Sequence, residues 1–253
     1  MSNIRLSDTN GVRLITFDRR EKKNALTQDM YAEVIKALTE GDKDPSVRVF
    51  VVTGAGDVFT SGNDLRDFGG SSGGGPAPGA LFPSVLNALA KPIIAAVNGL
   101  ALGVGVTMLP QCDLVYASAH ATFRTPFVDL ALIPEGCSSL LLPLAMGGAK
   151  ASEMLLMGDD WTADEAERAG LVARVIPTDG FLDAVLARAQ RLAAKAPSAV
   201  RQAKALLRID RDPLEARIAL TGRLFAERLA SAEFGEAIST FSSRRPPDFT
   251  RFV

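Results

Sequence analysis

Three short segments carry residue types and spacings suited to moving a proton beside a carbonyl group. They are residues 59–65 (FTSGNDL), 98–105 (NGLALGVG) and 134–139 (PEGCSS). Small residues in the first two let a backbone N–H approach a ligand closely. The third places a lone carboxylate, Glu135, at a tight turn before an apolar run. Two N–H donors and one carboxylate are the minimum needed to form an enolate and protonate it again.

Carboxylates are the leading candidates for acid–base groups, because His120 is the one histidine in the chain. A Ser-His-Asp triad would need His120 as its base, and no G-x-S-x-G nucleophile motif is present. We therefore expect His120 to be an edge or surface residue. Cys137 has no evident base partner and is interpreted as a small core residue. Asp64 is interpreted as a turn or N-cap residue.

The elements that hold these segments follow from the apolar pattern. Asn10-Gly11 lies between residues 4–6 and 12–17 and predicts a β-hairpin. Thr27 predicts the start of a helix with one apolar stripe, which we expect to end at Gly41. Apolar runs predict buried strands at residues 47–52, 93–97 and 114–117. Strands separated by helices indicate an α/β fold with parallel pairing.

From Ala149 onward the pattern is mainly helical. Thr162 and Glu165 predict a capping box for a helix that ends at Gly170. A strand is predicted at residues 171–176, and helices at 181–195, 198–208 and 214–230. We divide the chain into a core of residues 1–195 and a helical C-terminal region of residues 196–253, which we expect to make oligomer contacts.

Composition limits the classes of partner. A net charge of −1, with 47% hydrophobic residues, provides no general attraction to nucleic acid or to an anionic membrane. The uncharged run at residues 92–112 has nearly the length of a bilayer span, but prolines bracket it and glycines interrupt it. We expect a buried strand, a loop and a short helix there. Two cysteines and no signal-like N-terminal segment predict a reducing, cytoplasmic location.

Several motifs occur in an order that resembles the crotonase (enoyl-CoA hydratase/isomerase) superfamily. They are Asn24-Ala25-Leu26, F-x-S-G-x-D-L at residues 59–65, N-G-x-A-x-G-x-G at 98–105, Cys112-Asp113, Pro126 and A-x-x-x-G-L-V at 166–172. The resemblance runs from about residue 4 to the C-terminus. It implies a spiral of β-β-α turns, a helical trimerisation region, and homotrimers or hexamers built as dimers of trimers. It also implies an acyl-CoA thioester substrate with no metal or redox cofactor.

The resemblance assigns roles to particular positions. In that family two backbone N–H groups polarise the thioester carbonyl, and by motif position they belong to Ser61 and Val104. Val104 stands where the family usually has glycine. The donor is a backbone group, so valine keeps the N–H, but its side chain requires an ordinary negative φ. The residues implied around coenzyme A are Lys23, Ala25, Ser61, Asn63, Asp64 and Leu65. The tail at residues 241–249 implies Arg244 as a partner of the CoA phosphate, with a solvated basic tail as the alternative.

The positions of the family's catalytic carboxylates distinguish between reactions. Superfamily hydratases hold a water between two glutamates, and here those positions are Thr107 and Phe127, which disfavours hydration by that route. The segment around Glu135 instead resembles the peroxisomal-type Δ3,Δ2-enoyl-CoA isomerases, in which one glutamate works alone. We expect Glu135 to be that base, and Thr107, Phe127 and Leu130 to line a dry acyl pocket.

Alternatives remain at this stage. Glu135 is also compatible with a surface carboxylate that stabilises a helix at residues 137–142 by about 0.3–1 kcal/mol. The leading hypothesis is an isomerase of 3-enoyl-CoA thioesters acting in β-oxidation. A hydratase-like paralogue with another crotonase reaction, such as dienoyl isomerisation or thioester hydrolysis, is the second. A catalytically silent acyl-CoA-binding oligomer is the third.

Overall fold

The computed structural model describes residues 2–67, 76–208, 211–243, 245 and 247–249. The strands in these ranges are β1 (Ile4–Thr9), β2 (Val12–Phe17), β3 (Val49–Gly54), β4 (Val58–Thr60), β5 (Ile93–Val97), β6 (Leu100–Leu102), β7 (Leu114–Ser118), β8 (Thr122–Arg124), β9 (Trp161–Thr162) and β10 (Arg174–Ile176). The helices are α1 (Gln28–Lys43), α2 (Pro78–Ala88), α3 (Val104–Thr107), α4 (Ser138–Met146), α5 (Gly148–Met157), α6 (Ala163–Ala169), α7 (Phe181–Ala193), α8 (Pro197–Leu207), α9 (Arg211–Leu229) and α10 (Ala232–Ser243). Among the described residues, no helix combines the length and apolarity needed to cross a bilayer.

Two sheets form the α/β core. The larger has the strand order β1-β2-β3-β5-β7-β10, antiparallel at β1–β2 and parallel elsewhere. The smaller has the order β4-β6-β8-β9, parallel except for β8–β9. Strands β3 and β5 are buried along their whole length, as expected for parallel strands covered on both faces. The α/β prediction with parallel pairing is confirmed.

The N-terminal hairpin and the first helix also follow the prediction. Asn10 and Gly11 have φ of 51° and 79°, the positive values that a two-residue hairpin turn requires. The Thr27 side chain accepts the N–H of Met30 and caps α1. The helix does not end at Gly41, however, but continues to Lys43. Residue 41 is a glycine for a packing reason: a Cβ there would lie 2.6 Å from the Phe50 ring. Gly41 therefore marks a close contact inside the core.

The predicted strand at residues 171–176 is shorter in the structure, where β10 begins at Arg174. The N–H groups of Leu171 and Val172 instead bond to the Ala166 carbonyl and complete the end of α6. The capping box of Thr162 and Glu165 at the start of this helix is confirmed.

Helix α8 is tied to the core by buried charges. Lys204 Nζ lies 2.8 Å from Asp113 Oδ2, and Arg208 Nη2 lies 3.0 Å from Asp113 Oδ1. Lys204 also donates to the Lys91 carbonyl. The first helix after residue 195 is thus anchored to the core through Asp113, while the division of the chain at that residue stays a prediction.

The turn after β5 requires glycine for steric reasons. A Cβ at Gly99 would lie 1.8 Å from the Asp57 carbonyl oxygen, a backbone atom that cannot move aside cheaply. We expect Gly99→Ala to lower the free energy of unfolding by about 3 kcal/mol, measured as a shift of the urea midpoint at constant slope. Gly148→Ala is the matched control, because a Cβ there meets nothing within 4 Å. Equal midpoints for the two variants would contradict this account.

Candidate active site

Two loops meet because the strands before them are parallel neighbours. Strand β4 pairs with β6, so the loops that follow them emerge at the same edge of the smaller sheet. The contact is close: a Cβ at Gly62 would lie 3.0 Å from the Leu102 carbonyl oxygen, and one at Gly105 would lie 2.7 Å from Thr60 Cγ2. Glycine at both positions therefore allows the backbones of the two loops to approach each other.

The structure corrects one predicted backbone donor. The Ser61 N–H donates to the Lys23 carbonyl oxygen at 2.9 Å and is not available to a ligand. Asn63 instead pairs with Leu26 in a parallel bridge whose hydrogen bonds use the Gly62 carbonyl and the Asp64 N–H. Within the described ranges the Asn63 N–H has no acceptor, and Asn63 is the donor that this loop offers.

The second predicted donor, the N–H of Val104, lies at the start of a helix. Val104 is the first residue of α3, so its N–H has no acceptor within the helix. The required change of direction falls on Gly103, with φ of 55°, and Val104 keeps an ordinary negative φ. A side chain at residue 104 is therefore compatible with an open N–H.

The residues predicted to surround coenzyme A are brought together by backbone pairing. The loop at residues 22–26 bonds to the loop at 60–64 through Ser61 to Lys23, Leu26 to Gly62 and Asp64 to Leu26. Of the remaining predicted residues, Ala25 and Asn63 lie on the same two loops, and the exposed Leu65 follows directly after the second loop. Arg244 lies outside the described residues.

Glu135 is presented by a sharp turn. The two residues that follow it, Gly136 and Cys137, have φ of 62° and 66°, and α4 begins directly after them at Ser138. Gln111 Nε2 donates to the Gly136 carbonyl at 2.9 Å, and Ser138 Oγ donates to the Glu135 carbonyl at 2.6 Å. A left-handed non-glycine residue is strained and persists only where its surroundings hold it. Here those bonds fix the direction of the Glu135 side chain.

The Glu135 carboxyl is half-buried and bonded on one oxygen. Thr107 Oγ1 donates to Glu135 Oε1 at 2.9 Å. Burial raises the pKa of Glu135 above its ordinary value, and the Thr107 hydrogen bond opposes this without cancelling it. The carboxyl lines a cavity of about 240 Å³ together with Asn63 and Tyr31. Glu135 therefore faces the cavity as a carboxyl group whose pKa is raised by burial.

The apolar wall of this cavity was not foreseen from the sequence. It is formed by Leu26, Pro83, Ile218, Phe225, Ala226 and Leu229. The last four lie on α9, which had been assigned to oligomer contacts. With Thr221 and Gly222, which also line the cavity, their positions recur at the three- to four-residue spacing of one helix face, a pattern that is present in the sequence.

The three residues expected to line the acyl pocket do not form the wall of this cavity. Thr107 is buried and acts through its bond to Glu135. Phe127 is buried in the main core, and Leu130 packs against that core. These two residues flank the short helical turn Val128–Leu130, and their place in an acyl pocket stays a prediction.

Other titratable groups are committed elsewhere. Asp64 lines the cavity but pairs with Arg19 at 2.6 Å; burial acts to raise the pKa of Asp64, but the Arg19 and Arg66 interactions prevail and lower it. Burial raises the pKa of the Cys137 thiol to about 11, as expected for a core residue. His120 is exposed and contacts Ser118 and Thr178. Within the described ranges, no three His, Cys, Asp or Glu side chains converge to hold a metal ion.

Comparisons with known proteins show similarity to one family along almost the whole chain. The family model for enoyl-CoA hydratase/isomerase matches residues 7–251. Enoyl-CoA delta isomerase 2 of Rattus norvegicus is 41% identical over 251 residues, covering 96% of this chain and 64% of the relative, so the chain spans less than two thirds of that protein. The 2,3-dehydroadipyl-CoA hydratase of Escherichia coli is 34% identical over 98% of this chain and 99% of its own length. An enoyl-CoA hydratase/isomerase structure from Pseudoalteromonas atlantica superposes with a TM-score of 0.95 at 42% identity, covering 98% of this chain and 100% of that one.

Proposed function

Because the chain belongs to the enoyl-CoA hydratase/isomerase family, we propose that it moves a double bond from C3 to C2 of an enoyl-CoA thioester. One observation carries the proposal: the Glu135 carboxyl lines the same cavity as Asn63, whose N–H has no acceptor in the described part of the chain. A base beside an oxyanion donor is the arrangement that enolate chemistry requires.

The steps follow from these groups. The thioester oxygen accepts hydrogen bonds from the N–H groups of Asn63 and Val104, and Glu135 takes a proton from C2. The C2–H electrons form a dienolate whose negative charge rests on that oxygen. Glu135 then returns the proton to C4, the C3–C4 double bond becomes single, and a C2–C3 double bond forms. One carboxylate suffices for both transfers, and no other reactant is consumed.

Hydration is the second candidate, and the names of relatives such as the 2,3-dehydroadipyl-CoA hydratase favour it. Hydration is disfavoured because neither position of the family's paired glutamates, residues 107 and 127, carries a carboxylate in this chain. Thr107 donates to Glu135 instead of holding a water with it, and Phe127 is packed in the core. A second carboxylate on the cavity, Asp64, is engaged with Arg19.

One set of assays separates the candidates. The protein is incubated with 3-trans- and 3-cis-enoyl-CoA, and separately with crotonyl-CoA, while the absorbance of the conjugated thioester is followed. Our proposal expects a rise with the 3-enoyl substrates. A fall with crotonyl-CoA and no rise with the others would establish a hydratase. Tight CoA-ester binding without either change would identify a silent binder.

The pH profile tests the environment of Glu135. Isomerisation needs the ionised carboxylate, so kcat/KM should rise with pH through a pKa above the ordinary value of a glutamate. The Thr107 bond stabilises the charged form, so Thr107→Val should raise this pKa further and shift the acidic limb to higher pH. Thr39→Val, at an exposed position on α1, is the control. An unchanged or lower pKa in Thr107→Val would refute the assignment of this bond.

We also propose that the chain assembles as homotrimers or as hexamers built from two trimers. In support, α8 ends in Leu206 and Leu207, which are 87% and 84% exposed. Leu156 and Met157, at the end of α5, are also exposed. Large apolar side chains at these levels of exposure are suited to contacts between subunits.

A further inference from the structure

Tyr31 is a buried titratable residue of the site to which the mechanism above gives no role. It lies on α1, is 3% exposed and lines the cavity with Glu135 and Asn63. Its ring packs against Phe82 with centroids 5.3 Å apart. Phenylalanine would provide that packing equally well, so the hydroxyl is the part of Tyr31 that needs another explanation.

The hydroxyl makes a specific contact. It donates a hydrogen bond to Asn63 Oδ1. Burial raises the pKa of Tyr31 well above its ordinary value, and the negative charge of Glu135 raises it further. Tyr31 therefore stays protonated and remains a donor throughout the working pH range. Tyr31 and Glu135 line the same cavity.

This bond holds the side chain of Asn63. The backbone of Asn63 pairs on one side only, through the Gly62 carbonyl and the Asp64 N–H, and its own N–H is left open. The Tyr31 hydroxyl is the partner that the structure gives to the Asn63 side chain. A donor on a loop must be held to within about 0.5 Å to stabilise an oxyanion well.

We propose that Tyr31 is a positioning residue that fixes the Asn63 N–H in the oxyanion hole by anchoring the Asn63 side chain. This rests on the proposed function. The hydroxyl does not touch the reacting atoms, and its effect passes through Asn63.

The test compares Tyr31→Phe with the wild-type protein. We expect kcat for 3-enoyl-CoA isomerisation to fall about tenfold, the usual size of one lost hydrogen bond, with KM changed less than about twofold. A merely structural role would not split kcat from KM in this way. The second readout is the near-ultraviolet band of the enolate of bound acetoacetyl-CoA, which should be strong in the wild-type protein and weak in the variant.

Two further variants keep the proposal falsifiable. Asn63→Ala removes the acceptor without touching the tyrosine ring, and should cause the same loss, with the double variant no worse than either single one. Tyr116→Phe, at the other tyrosine of the chain and away from the cavity, should leave kinetics unchanged. Full kcat and enolate band in Tyr31→Phe, or additive effects in the double variant, would overturn the proposal.

Failure of the proposed function gives a different result. A wild-type protein that does not isomerise 3-enoyl-CoA would refute the function. The enolate band compared between the wild-type protein and Tyr31→Phe would still decide whether the tyrosine positions the oxyanion donor.

Discussion

Replacing Glu135 with glutamine is expected to lower kcat for 3-enoyl-CoA isomerisation by about 10³-fold, within the range for loss of a general base. Glutamine keeps the size of the side chain and can still accept from Thr107, but it cannot take a proton from C2 or return one to C4. The loops predicted to bind CoA are untouched, so the affinity for a saturated acyl-CoA should stay within about twofold. Stopped assays of conjugated product and calorimetric titration measure the two quantities.

The control for this prediction is Glu153→Gln. Glu153 lies on α5 in an exposed ion pair with Lys150, so the same chemical change away from the cavity should leave kcat intact. Wild-type activity in Glu135→Gln would remove Glu135 from the mechanism. A loss of acyl-CoA affinity equal to the loss of kcat would make it a binding residue instead of a base.

Local signals in the sequence were sufficient for much of the fold. The positive φ values of Asn10 and Gly11, the Thr27 cap and the Thr162 capping box are decided by chemistry within a few residues. The prediction that α1 ends at Gly41 was wrong, because a glycine near a helix end can also be needed to make room for the side chain of a distant residue. The partner here, Phe50, lies on a neighbouring strand, and no local pattern shows it.

The site also combines features that local sequence predicts with features that depend on distant residues. Motif positions predict Glu135, Val104 and the two paired loops, but they do not decide whether Ser61 or Asn63 has the open N–H. Which backbone N–H stays open depends on pairing with a loop almost forty residues away, where Lys23 accepts from Ser61 and Leu26 pairs with Asn63. Motif identity locates the loop, and the pairing register selects the donor. The cavity wall from α9 likewise depends on how that helix packs on the core.

Removing the second oxyanion donor should have an effect nearly as large as removing the base. Val104→Pro deletes the N–H of the first residue of α3, a position where proline fits a helix. The preceding Gly103 has no side chain to clash with the proline ring, which limits the cost to folding. We expect kcat to fall by about 10²- to 10³-fold, because the donor acts most strongly on the charged oxygen of the transition state. KM should change much less than kcat.

Val104→Ala is the matched control, since it shortens the same side chain and keeps the N–H. Its kcat should stay within about threefold of the wild-type value, and both variants should unfold at similar urea concentrations. The acetoacetyl-CoA enolate band should disappear in Val104→Pro and persist in Val104→Ala. Because the two variants differ in the presence of one backbone hydrogen, equal kcat values and equal bands would show that the thioester oxygen does not bind at the start of α3. Asn63 alone could not then account for enolate stabilisation, and the site would have to be placed elsewhere on the cavity wall.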